Sequence, residues 1–387
     1  MQRIYIEGLG LVEGHFSGIG QYILGILQGM DNLIEENKYT DQPRPSVTVV
    51  IPYDKVKKFK SFGFKNINYK KLPLNFRHTS SLWYRGKMFP LDLWCGKGYY
   101  IFPRFVKMPL ISSESALVIY DLSYELYRQY SDENNSKFLS NGVRRSIKNT
   151  SKIITISQNA KKEILNFYKL PGKRVAVATP AVNQSHFYKR SVSEINNVKL
   201  KYKIKGEYIL ALSNLEPRKN LGALVDAYCS LPKEITDNVG LLLVGVNGWK
   251  TEKLFEKIIT KVESGYNIMR PSKYVSDKDK PAIISGAKLL VYPSHYEGFG
   301  MPPLEALACG TAVITSDNSS LPEVVKGVGV MVSSNDTQAI ASAISRQIRN
   351  WPKFSTETQQ SGPEQASKFS WEKSAQVFFD AAAEVKK

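Results

Sequence analysis

The sequence is poor in cysteine and contains no long apolar run. Its three cysteines, Cys95, Cys229 and Cys309, are far apart, odd in number and without metal-ligand spacing, which is typical of reduced packing residues in a cytosolic protein. No uninterrupted apolar stretch approaches the roughly 18 residues that a transmembrane helix needs. The N-terminal stretch MQRIYIEGLGLVEG lacks a cationic region followed by an apolar run, so no signal peptide is predicted. We therefore expect a cytoplasmic protein.

The length and composition indicate an ordinary globular protein with more than one domain. The chain has 387 residues, which is long for a single hydrophobic core and predicts two domains. Its hydrophobic content of 42%, with 26 Gly and 19 Pro, excludes the disordered and fibrous classes.

Positive charge is concentrated in the N-terminal half of the chain. The net charge is +18, and residues 1–190 contain 29 Lys and Arg against 14 Asp and Glu. The densest part is DKVKKFKSFGFKNINYKK, residues 54–71, which we call the basic segment. Its candidate residues for contact with an anionic partner or a membrane are Lys55, Lys57, Lys58 and Lys60. The segment could meet an anionic membrane at its inner face or nucleic acid, or it could be a solvated face, and the sequence leaves these alternatives open.

Apolar, β-branched runs alternate with amphipathic helical stretches along the chain. Strand candidates include RIYIEGL and SVTVVIPY in the first half, and YILALS, GLLLVG and KLLVYPS in the second. Most of these runs are continuously apolar, which is typical of parallel strands covered on both faces. Repeated βα units predict a doubly wound α/β architecture.

The strand pattern starts again near residue 206, after a polar stretch that lacks a strong strand signal. We predict one Rossmann-like domain over 1–190 and a second Rossmann-like domain over 191–370. A C-terminal helix over 371–387 follows the capping residue Ser370, and we consider its packing against the first domain. Two such domains leave a cleft at the carboxyl ends of their strands, where open α/β sheets bind ligands.

One stretch, HYEGFGMPPLEALACGTAV at residues 295–313, places two glutamates around a glycine turn and a helix start. The backbone N–H groups of such a turn and helix form an anion site. Glu297 and Glu305 cannot bind phosphate, because like charges repel, but they can accept hydrogen bonds from hydroxyls. Phosphate on the backbone and hydroxyls on the carboxylates together indicate a sugar nucleotide. The predicted donor-binding residues here are Gly298, Phe299, Gly300, Met301, Pro302, Leu304 and Glu305.

Extended to PSHYEGFGMPPLEALACGTAVITSD, this stretch resembles the signature of the retaining glycosyltransferases of family four. These enzymes have the GT-B fold, in which two Rossmann-like domains face across a cleft, so the resemblance implies an acceptor-side domain over 1–190 and a nucleotide-sugar-binding domain over 191–370. The resemblance rests on the E-x7-E spacing together with its flanking motifs. It implies that Glu297 contacts hydroxyls of the donor sugar and that Glu305, in the first turn of the helix, holds the nucleotide ribose. The alternative for Glu305 is that it complements its helix N-terminus.

A second match is LSNLEPRKNLGALVDAY, residues 212–228, which resembles the family's E-P-R-K-N segment. The resemblance implies that Arg218 and Lys219 bind the donor diphosphate. Fixed cations there stabilise the charge that develops on a departing nucleoside diphosphate. Many relatives carry a further arginine about five residues earlier, where this chain has Ser213 and Asn214, and we include Ser213 among the donor-binding residues. For a lone Arg-Lys pair the alternative is a solvated surface.

The stretch PSKYVSDKDKPAIISGAKLLVYPS, residues 271–294, also resembles the family. In relatives the loop corresponding to 274–276 packs the nucleotide base against main chain, so Val275 is a predicted donor-binding residue. Backbone contacts leave no side-chain signature, and the base, of the UDP or the GDP type, stays open.

In the first half, the glycine-rich turn LGLVEGHFSGIGQYILGIL resembles the family's loop after the first strand. The resemblance implies that Gly18 and Gly20 let donor phosphate and acceptor approach. His15 lies nearby and is interpreted as an ordinary polar residue, not as a base.

The strand ALVIYDLSYELY resembles one that ends in His-Asp in the family, but this chain has Tyr120 and Asp121. Tyr120 is a predicted donor-binding residue that can donate a hydrogen bond from a neutral hydroxyl. Asp121 is a predicted catalytic residue, with helix capping as the alternative. Ser157, in IITISQNAKKEIL, is expected to cap a helix and to lie on the acceptor side.

The function predicted from these motifs is transfer of a sugar from a nucleotide-diphosphate sugar to an acceptor hydroxyl, with retention at the anomeric carbon. The predicted catalytic residues are Glu297, Arg218, Lys219 and Asp121. No cofactor and no metal are expected. The expected acceptor is a glycan, a lipid-linked sugar or an anionic polymer of cell-surface polysaccharide, glycolipid or cell-wall biosynthesis. The alternatives are a glycosyltransferase-like partner subunit without catalysis and, with less support, a basic nucleic-acid-binding protein.

Overall fold

The computed structural model of the protein describes residues 2–13, 17–36 and 45–384. His15 therefore lies outside the described residues. Internal contacts divide the chain into two units: Met1–Pro180 with Ser370–Lys387, and Ala181–Phe369. The first unit is thus built from two separate stretches of the chain.

The division at residues 180/181 comes before the predicted domain boundary at 190/191, which is corrected accordingly. Residues in between fold with the second unit. Phe187 is buried, and the centre of its ring lies 5.8 Å from the Lys280 ammonium. The backbone N–H of Arg190 donates to Ser285 Oγ at 3.1 Å. Because these partners lie far along the chain, the local absence of a strand signal does not locate the boundary.

The described part of the first unit contains seven strands that form one sheet. They are β1 (Arg3–Glu7), β2 (Ser46–Pro52), β3 (Asn68–Leu72), β4 (Tyr99–Phe102), β5 (Ser115–Val118), β6 (Lys152–Thr155) and β7 (Val175–Val177). All neighbours pair in parallel, in the order β3-β2-β1-β4-β5-β6-β7. The order reverses between β1 and β4, so the chain leaves these two neighbouring strands in opposite lateral directions. This is the switch point at which doubly wound sheets bind ligands.

Helices connect the strands of the first unit. Those described are α1 (Leu9–Val12), α2 (Gly18–Glu35), α3 (Val56–Lys60), α4 (Phe76–Tyr84), α5 (Leu91–Cys95), α6 (Ser123–Leu126), α7 (Glu133–Lys148) and α8 (Gln158–Tyr168). Several begin at polar caps that the sequence supplies. Ser17 Oγ accepts from the Gly20 N–H at the start of α2, and Asp132 Oδ1 accepts from the Asn135 N–H at the start of α7.

The second unit repeats this architecture with six strands in its described residues. They are β8 (Glu207–Leu212), β9 (Val239–Val244), β10 (Ile268–Met269), β11 (Leu289–Tyr292), β12 (Ala312–Ser316) and β13 (Val330–Val332). They pair in parallel in the order β10-β9-β8-β11-β12-β13, which reverses between β8 and β11. The central strands are buried almost throughout, as their continuous apolar runs predict. The two parallel sheets confirm the predicted doubly wound α/β class.

The helices of the second unit lie between and after these strands. They are α9 (Val192–Tyr202), α10 (Leu221–Cys229), α11 (Lys233–Thr236), α12 (Glu252–Glu263), α13 (Lys280–Ser285), α14 (Met301–Ala308), α15 (Leu321–Val325), α16 (Thr337–Arg349) and α17 (Trp351–Ser367). At the start of α9, Ser191 and Glu194 form a complete capping box. At the end of α14, Gly310 adopts a φ of +68°, and its N–H donates to Leu307 O.

The last helix, α18 (Trp371–Ala383), begins at the cap Ser370 and packs against α2 of the first unit. The fit is close because α2 presents glycines to it. A Cβ built on Gly25 would lie 2.2 Å from the Trp371 ring, and one on Gly29 would lie 2.4 Å from the Trp371 carbonyl oxygen. Phe378 is buried, and Lys152 Nζ pairs with Glu384 at 2.7 Å.

We expect the substitution Gly29→Ala to destabilise the first unit by roughly 1–3 kcal/mol, because the added methyl group meets the backbone of α18 and not a movable side chain. The measurement is the thermal unfolding midpoint. Gly18→Ala in the same helix is the control, since a Cβ there meets nothing within 4 Å. Equal midpoints for the two variants would contradict the close packing of α18 on α2.

Candidate active site

The switch point of the second sheet brings two loops of the chain together. The first loop, residues 213–220, follows β8, and the second, residues 293–300, follows β11. Because β8 and β11 are parallel neighbours, their carboxyl ends lie at the same edge. The loops bond directly, since the backbone N–H of His295 donates to the Arg218 carbonyl oxygen at 2.9 Å.

Two cations of the first loop bind one carboxylate of the second. Lys219 Nζ lies 2.7 Å from Glu297 Oε1, and Arg218 Nη1 lies 3.0 Å from Glu297 Oε2. Arg218 Nη2 also donates to Glu216 Oε1 at 2.8 Å, and Lys219 Nζ donates to the Tyr292 hydroxyl at 2.9 Å. The structure therefore brings together three predicted catalytic residues, Glu297, Arg218 and Lys219. The sequence reasoning gave no role to Glu216, although it belongs to the same E-P-R-K-N motif.

Most residues of this network are almost fully buried, and burial affects the pKa values of Glu297 and Lys219. Glu297 and Lys219 expose only 6% and 8% of their surface. Burial by itself raises the pKa of Glu297, but the charges of Arg218 and Lys219 outweigh it and bring that pKa down to about 2. Burial lowers the pKa of Lys219, and the Glu297 charge opposes this shift. Glu297 is consequently an ionised carboxylate at physiological pH, poised as a hydrogen-bond acceptor.

Two serines that the sequence analysis missed fix the backbone around Glu297. Ser319 Oγ accepts from the Glu297 N–H at 3.0 Å. Ser320 Oγ donates to the carbonyl oxygens of Glu297 and Phe299 at 2.8 and 2.7 Å. Both serines follow β12 in the stretch SDNSS, and this position after an apolar strand was the available signal. They hold the loop so that the Glu297 carboxylate faces the two cations.

Gly300 has a conformation and a position that only glycine fits well. Its φ is +124°, and a Cβ would lie 2.8 Å from the Leu321 side chain. Helix α14 starts directly after it at Met301, with Pro302 in the first turn. The predicted order of glycine turn, proline and helix is therefore present. The expected roles of Gly298, Phe299, Gly300, Met301, Pro302 and Leu304 in donor binding stay predictions.

Glu305 lies one turn deeper than the sequence analysis placed it. Because α14 begins at Met301, Glu305 is the fifth helical residue, and the first turn contains no acid. Its interpretation as a partner of the helix N-terminus is therefore wrong. Glu305 is 4% exposed, and burial raises its pKa even though the nearby Lys280 lowers it.

Lys280 is a further residue of this unit that the sequence analysis did not select. Its Nζ lies 3.7 Å from Glu305 Oε1 and 3.2 Å from Asp277 Oδ1. Burial lowers the pKa of Lys280, but Glu305 and Asp277 raise it more. Lys280 is therefore a cation that balances the buried Glu305, and it lies in the stretch VSDKDK that was recognised only for its backbone.

The other donor-side candidates lie at the same unit's strand ends and loops. Ser213 follows β8, and its N–H donates to Val244 O at 3.0 Å. A Cβ on Gly245 would lie 1.7 Å from Ser213 O, so glycine is required where the loop after β9 meets this position. Val275 is buried, and the neighbouring Ser276 N–H donates to the Tyr202 hydroxyl. The expected contacts of Ser213 and Val275 with a donor stay predictions.

In the first unit, Tyr120 and Asp121 already have internal partners. The Tyr120 hydroxyl is buried and donates to Pro103 O at 2.8 Å, and burial raises its pKa well above the usual value. The Tyr120 hydroxyl hydrogen, which the predicted contact with a nucleotide-sugar donor would use, is therefore engaged in this internal bond. Asp121 Oδ1 accepts from the Ser123 N–H at 2.8 Å, but the N-cap of α6 is Leu122 and no side chain caps this helix, so the catalytic role of Asp121 stays a prediction.

Ser157 and the two glycines of α2 have clear structural surroundings. Ser157 is fully buried, and its Oγ accepts from the Ala160 N–H at 3.1 Å, so it caps α8. The hydroxyl has no exposed surface, and the expected place of Ser157 on the acceptor side stays a prediction. Gly18 is exposed at the start of α2 with open space around it, whereas Gly20 is buried. Their contact with a donor stays a prediction.

The carboxyl edge of the first sheet carries a buried acid and a buried cation that the sequence analysis did not select. Glu7 ends β1, and its Oε1 accepts from the Leu9 N–H at 2.6 Å. Burial raises the pKa of Glu7, while the charge of Arg104 lowers it. Arg104 follows β4, and its guanidinium lies 4.5 Å from the centre of the Trp83 ring. Glu7 and Arg104 are therefore buried charged residues at the switch point of the first sheet.

The basic segment folds into α3 and the edge strand β3. Lys57 and Lys60 are exposed, whereas Lys55 and Lys58 are half-buried. The Lys55 ammonium lies 5.0 Å from the centre of the Phe76 ring, and Lys58 Nζ donates to Glu13 O. Exposed lysines are thus available for an anionic partner. Among the described residues, no helix has the length and apolar character needed to span a bilayer.

In the described ranges, no cluster of three or more His, Cys, Asp or Glu side chains is arranged to hold a metal ion. The expectation of catalysis without a metal stays a prediction.

Comparison with known proteins identifies the family. The model described as glycosyl transferases group 1 matches residues 193–365. The O-antigen chain mannosyltransferase B of Escherichia coli is 32% identical over 268 residues, which cover 68% of this chain and 69% of that protein. The chain belongs to the group 1 glycosyltransferases.

Two further similarities set the extent of the likeness. The serotype-specific mannosyltransferase WbdA of Escherichia coli is 32% identical over 233 residues, which are 59% of this glycosyltransferase but only 28% of WbdA. The crystal structure of HepE from Anabaena, in complex with UDP and glucose, superposes with a TM-score of 0.69 over 99% of both chains at 15% identity. At this identity the superposition shows the fold, which confirms two Rossmann-like units of the GT-B class.

The depressed pKa of Glu297 predicts a specific loss of stability in acid. Because this pKa is about 2 in the folded protein against 4.5 for a free carboxyl group, ionised Glu297 stabilises the fold above pH about 4.5. That contribution is lost as the pH falls towards 2. Between pH 6 and pH 3, we expect the free energy of unfolding of Glu297→Gln to fall by roughly 2 kcal/mol less than that of the unmodified protein.

Urea denaturation at the two pH values provides this measurement. Glu256→Gln is the control, since Glu256 is an exposed residue of α12. The same pH response in both variants would show that Glu297 is not held ionised by Arg218 and Lys219.

Proposed function

We propose that this glycosyltransferase moves a hexosyl unit, most favourably mannose, from a nucleotide-diphosphate sugar to an acceptor hydroxyl in polysaccharide biosynthesis. Retention of the anomeric configuration is part of the proposal. The observation that carries it is the contact of Arg218 and Lys219 with Glu297 at the switch point of the second sheet. The choice of mannose is supported by the names of two relatives, an O-antigen chain mannosyltransferase and a serotype-specific mannosyltransferase.

The proposed donor site uses the two cations for the diphosphate and Glu297 for the sugar. Without a ligand, Arg218 and Lys219 are balanced by Glu297 and Glu216, so the site is neutral overall. Arg218 is the more accessible cation, with 18% of its side chain exposed against 10% for Lys219. Arg218 therefore makes the larger contact with the diphosphate, and Lys219 contacts the diphosphate while it also holds Glu297 in place. The free lone pairs of Glu297 accept from hydroxyls of the donor sugar.

The nucleoside is proposed to bind at Glu305 of α14. Glu305, balanced by Lys280, accepts the two ribose hydroxyls, and the backbone around Val275 contacts the base. UDP and GDP sugars both satisfy this arrangement. HepE, whose fold is similar, is described in complex with UDP.

The proposed reaction takes place on one face of the sugar. The bond from the anomeric carbon to the diphosphate oxygen breaks, and the bond to the acceptor oxygen forms on the same face. The acceptor proton passes to the departing phosphate oxygen, so no protein base is needed. Arg218 and backbone N–H groups stabilise the negative charge that develops on the leaving group. Positioning of the two substrates supplies much of the remaining rate acceleration.

The first unit is proposed to take the acceptor. Its excess of positive charge, with Lys57 and Lys60 exposed on the basic segment, favours an anionic acceptor such as a lipid-linked diphosphate sugar or a charged polymer. The same lysines favour a peripheral location at an anionic membrane surface.

The direct test is incubation with a panel of uridine- and guanosine-diphosphate sugars, including GDP-mannose and UDP-glucose, with and without glycan acceptors. Proton NMR of the product reports both transfer and anomeric configuration. An α-linked product from an α-linked donor is expected. A β-linked product would exclude retention, and binding of donors without transfer or hydrolysis would favour the alternative of a catalytically inactive partner subunit.

We expect Arg218→Met to lower kcat by roughly 10²–10³-fold, because a donor to the developing charge on the leaving group is lost. Steady-state kinetics with the best donor from the panel provide the measurement. Arg77→Met, at an exposed arginine of α4, is the control and should leave kcat unchanged. Partial recovery in Arg218→Lys would support the charge requirement, and a kcat for Arg218→Met close to that of the control would contradict it.

Lys280→Met should weaken donor binding in a pH-dependent manner. Lys280 lowers the pKa of the buried Glu305, so its removal raises that pKa further and protonates Glu305 at a higher pH. A protonated Glu305 accepts ribose hydroxyls poorly, and each unit of pKa shift corresponds to about tenfold in affinity below the pKa. Calorimetric titration with the nucleoside diphosphate from pH 5.5 to 8 should show a loss that grows towards acid.

Lys278→Met is the matched control for this variant, since Lys278 is exposed two residues earlier. A loss of affinity independent of pH would mean that Lys280 contacts the nucleotide directly and does not act through Glu305.

A further inference from the structure

The short helix α5 of the first unit presents apolar side chains to solvent. Leu91 and Cys95, one turn apart, are buried and anchor the helix to the core. Between them, Leu93 is 70% exposed and Trp94 is 46% exposed. A leucine and a tryptophan side by side on a surface are unusual, because burying large apolar side chains would stabilise the fold. The proposed sugar transfer gives them no role.

A third exposed apolar residue completes a row across α5. Successive helical side chains are about 100° apart, so Asp92 and Trp94 flank Leu93 on opposite sides of the helix. On one side, the Trp94 Nε1–H donates to Lys71 O of the edge strand β3 at 2.9 Å. On the other, Asp92 Oδ1 accepts from the Ile111 N–H at 2.9 Å. Ile111 is 66% exposed, and we call Leu93, Trp94 and Ile111 the apolar row.

Hydrogen bonds fix the segments that carry this row. The Asp92 carboxylate also accepts from the N–H groups of Ser112 and Ser113, so the loop before β5 is tied to α5. The Trp94 indole is held at its polar edge, which leaves the rest of the ring at the surface. The backbone segments that carry the apolar row and the ring of Trp94 are therefore held in place by hydrogen bonds.

The rim of the apolar row is cationic. Lys71 lies beside Trp94, and Lys97 follows shortly after α5; both side chains are exposed. The carboxylate of Asp92 is engaged by three backbone N–H groups, which leaves Glu114 as the exposed acid of these segments. The first unit as a whole has a large excess of lysine and arginine. The partner that complements apolar side chains within a basic rim is therefore both apolar and anionic.

We propose that the apolar row inserts into the interface of an anionic lipid bilayer. Tryptophan, with an apolar ring and a polar edge, is favoured at the boundary between headgroups and acyl chains. Leucine and isoleucine beside it supply buried apolar area, and the lysines of the rim pair with lipid phosphates. Three side chains are few for a protein partner, since a stable interface buries about 800 Å² on each side. The proposal does not depend on sugar transfer.

The test is co-sedimentation of the full chain with vesicles of phosphatidylcholine that contain 30% phosphatidylglycerol, with pure phosphatidylcholine as the neutral comparison. The triple variant Leu93→Ser, Trp94→Ser, Ile111→Ser should bind the anionic vesicles at least about tenfold more weakly, because the inserted apolar area is lost. The control is Val192→Ser, Leu200→Ser on α9, whose side chains are 73% and 78% exposed. It should bind like the unmodified protein.

A second measurement uses the unmodified row. Vesicles with brominated acyl chains quench tryptophan fluorescence only where a ring enters the bilayer. Quenching should disappear in Trp94→Phe and persist in Trp249→Phe, which removes a tryptophan of similar exposure, 41%. This readout does not require the triple variant to fold.

The proposal would be overturned by equal binding of the triple variant and the control, by equal binding to neutral vesicles, by persistent quenching in Trp94→Phe, or by a dimer in light scattering that the triple variant abolishes. The last would assign the row to a second copy of the chain. Loss of binding only in Lys57→Glu, Lys60→Glu would place the membrane contact on the basic segment and would equally reject the apolar row. Donor turnover with a water-soluble acceptor is expected to be unchanged in the triple variant, so failure here is distinct from failure of the proposed function.

Discussion

A buried carboxylate between two cations is the constraint on which the second unit's site depends. Glu297 is ionised in a dry environment only because Arg218 and Lys219 each contact one of its oxygens. Leaving either cation without the carboxylate, or the carboxylate without the cations, would strand charge away from water at a cost of several kcal/mol. The loops after β8 and β11 are consequently locked to each other before any substrate arrives.

This locking follows from the order of the strands. The strands β8 and β11 are parallel neighbours, and the chain leaves them in opposite lateral directions. This leaves a gap at their carboxyl ends, where the loops after β8 and β11 both lie. The third loop, after β12, contributes Ser319 and Ser320, which hold the backbone around Glu297. Three consecutive strands of one sheet thus each supply one part: cations, carboxylate and backbone support. The first sheet has the same reversal, where Glu7 and Arg104 occupy the corresponding edge.

Sequence patterns located the central strands and the charged centre of the site, and they failed where the deciding contact is distant. The continuously apolar runs are β1, β2, β8, β9 and β11, because burial on both faces imposes that composition. They missed three edge strands: β3, whose NYKKL is half-exposed, β10, which has two residues, and β13, which has three half-exposed residues. Resemblance to two motifs of the family located Glu297, Arg218 and Lys219. It could not find Lys280, since no local rule pairs a residue of one helix with Glu305 of another. Tyr120 and Ser157 were selected by resemblance, whereas their hydroxyls serve the interior of the first unit.

Helix α18 packs on α2 although the two are separated by the whole of the second unit in the chain. During synthesis on the ribosome, residues 181–369 can fold as soon as they emerge, because all their contacts are available. The first unit cannot be completed until residues 370–384 have left the exit tunnel, and until then the face of α2 that carries Gly25 and Gly29 is uncovered. The second unit of a nascent chain is therefore complete before the first unit. If premature termination removes α18, an apolar face of α2 stays exposed to chaperones and proteases.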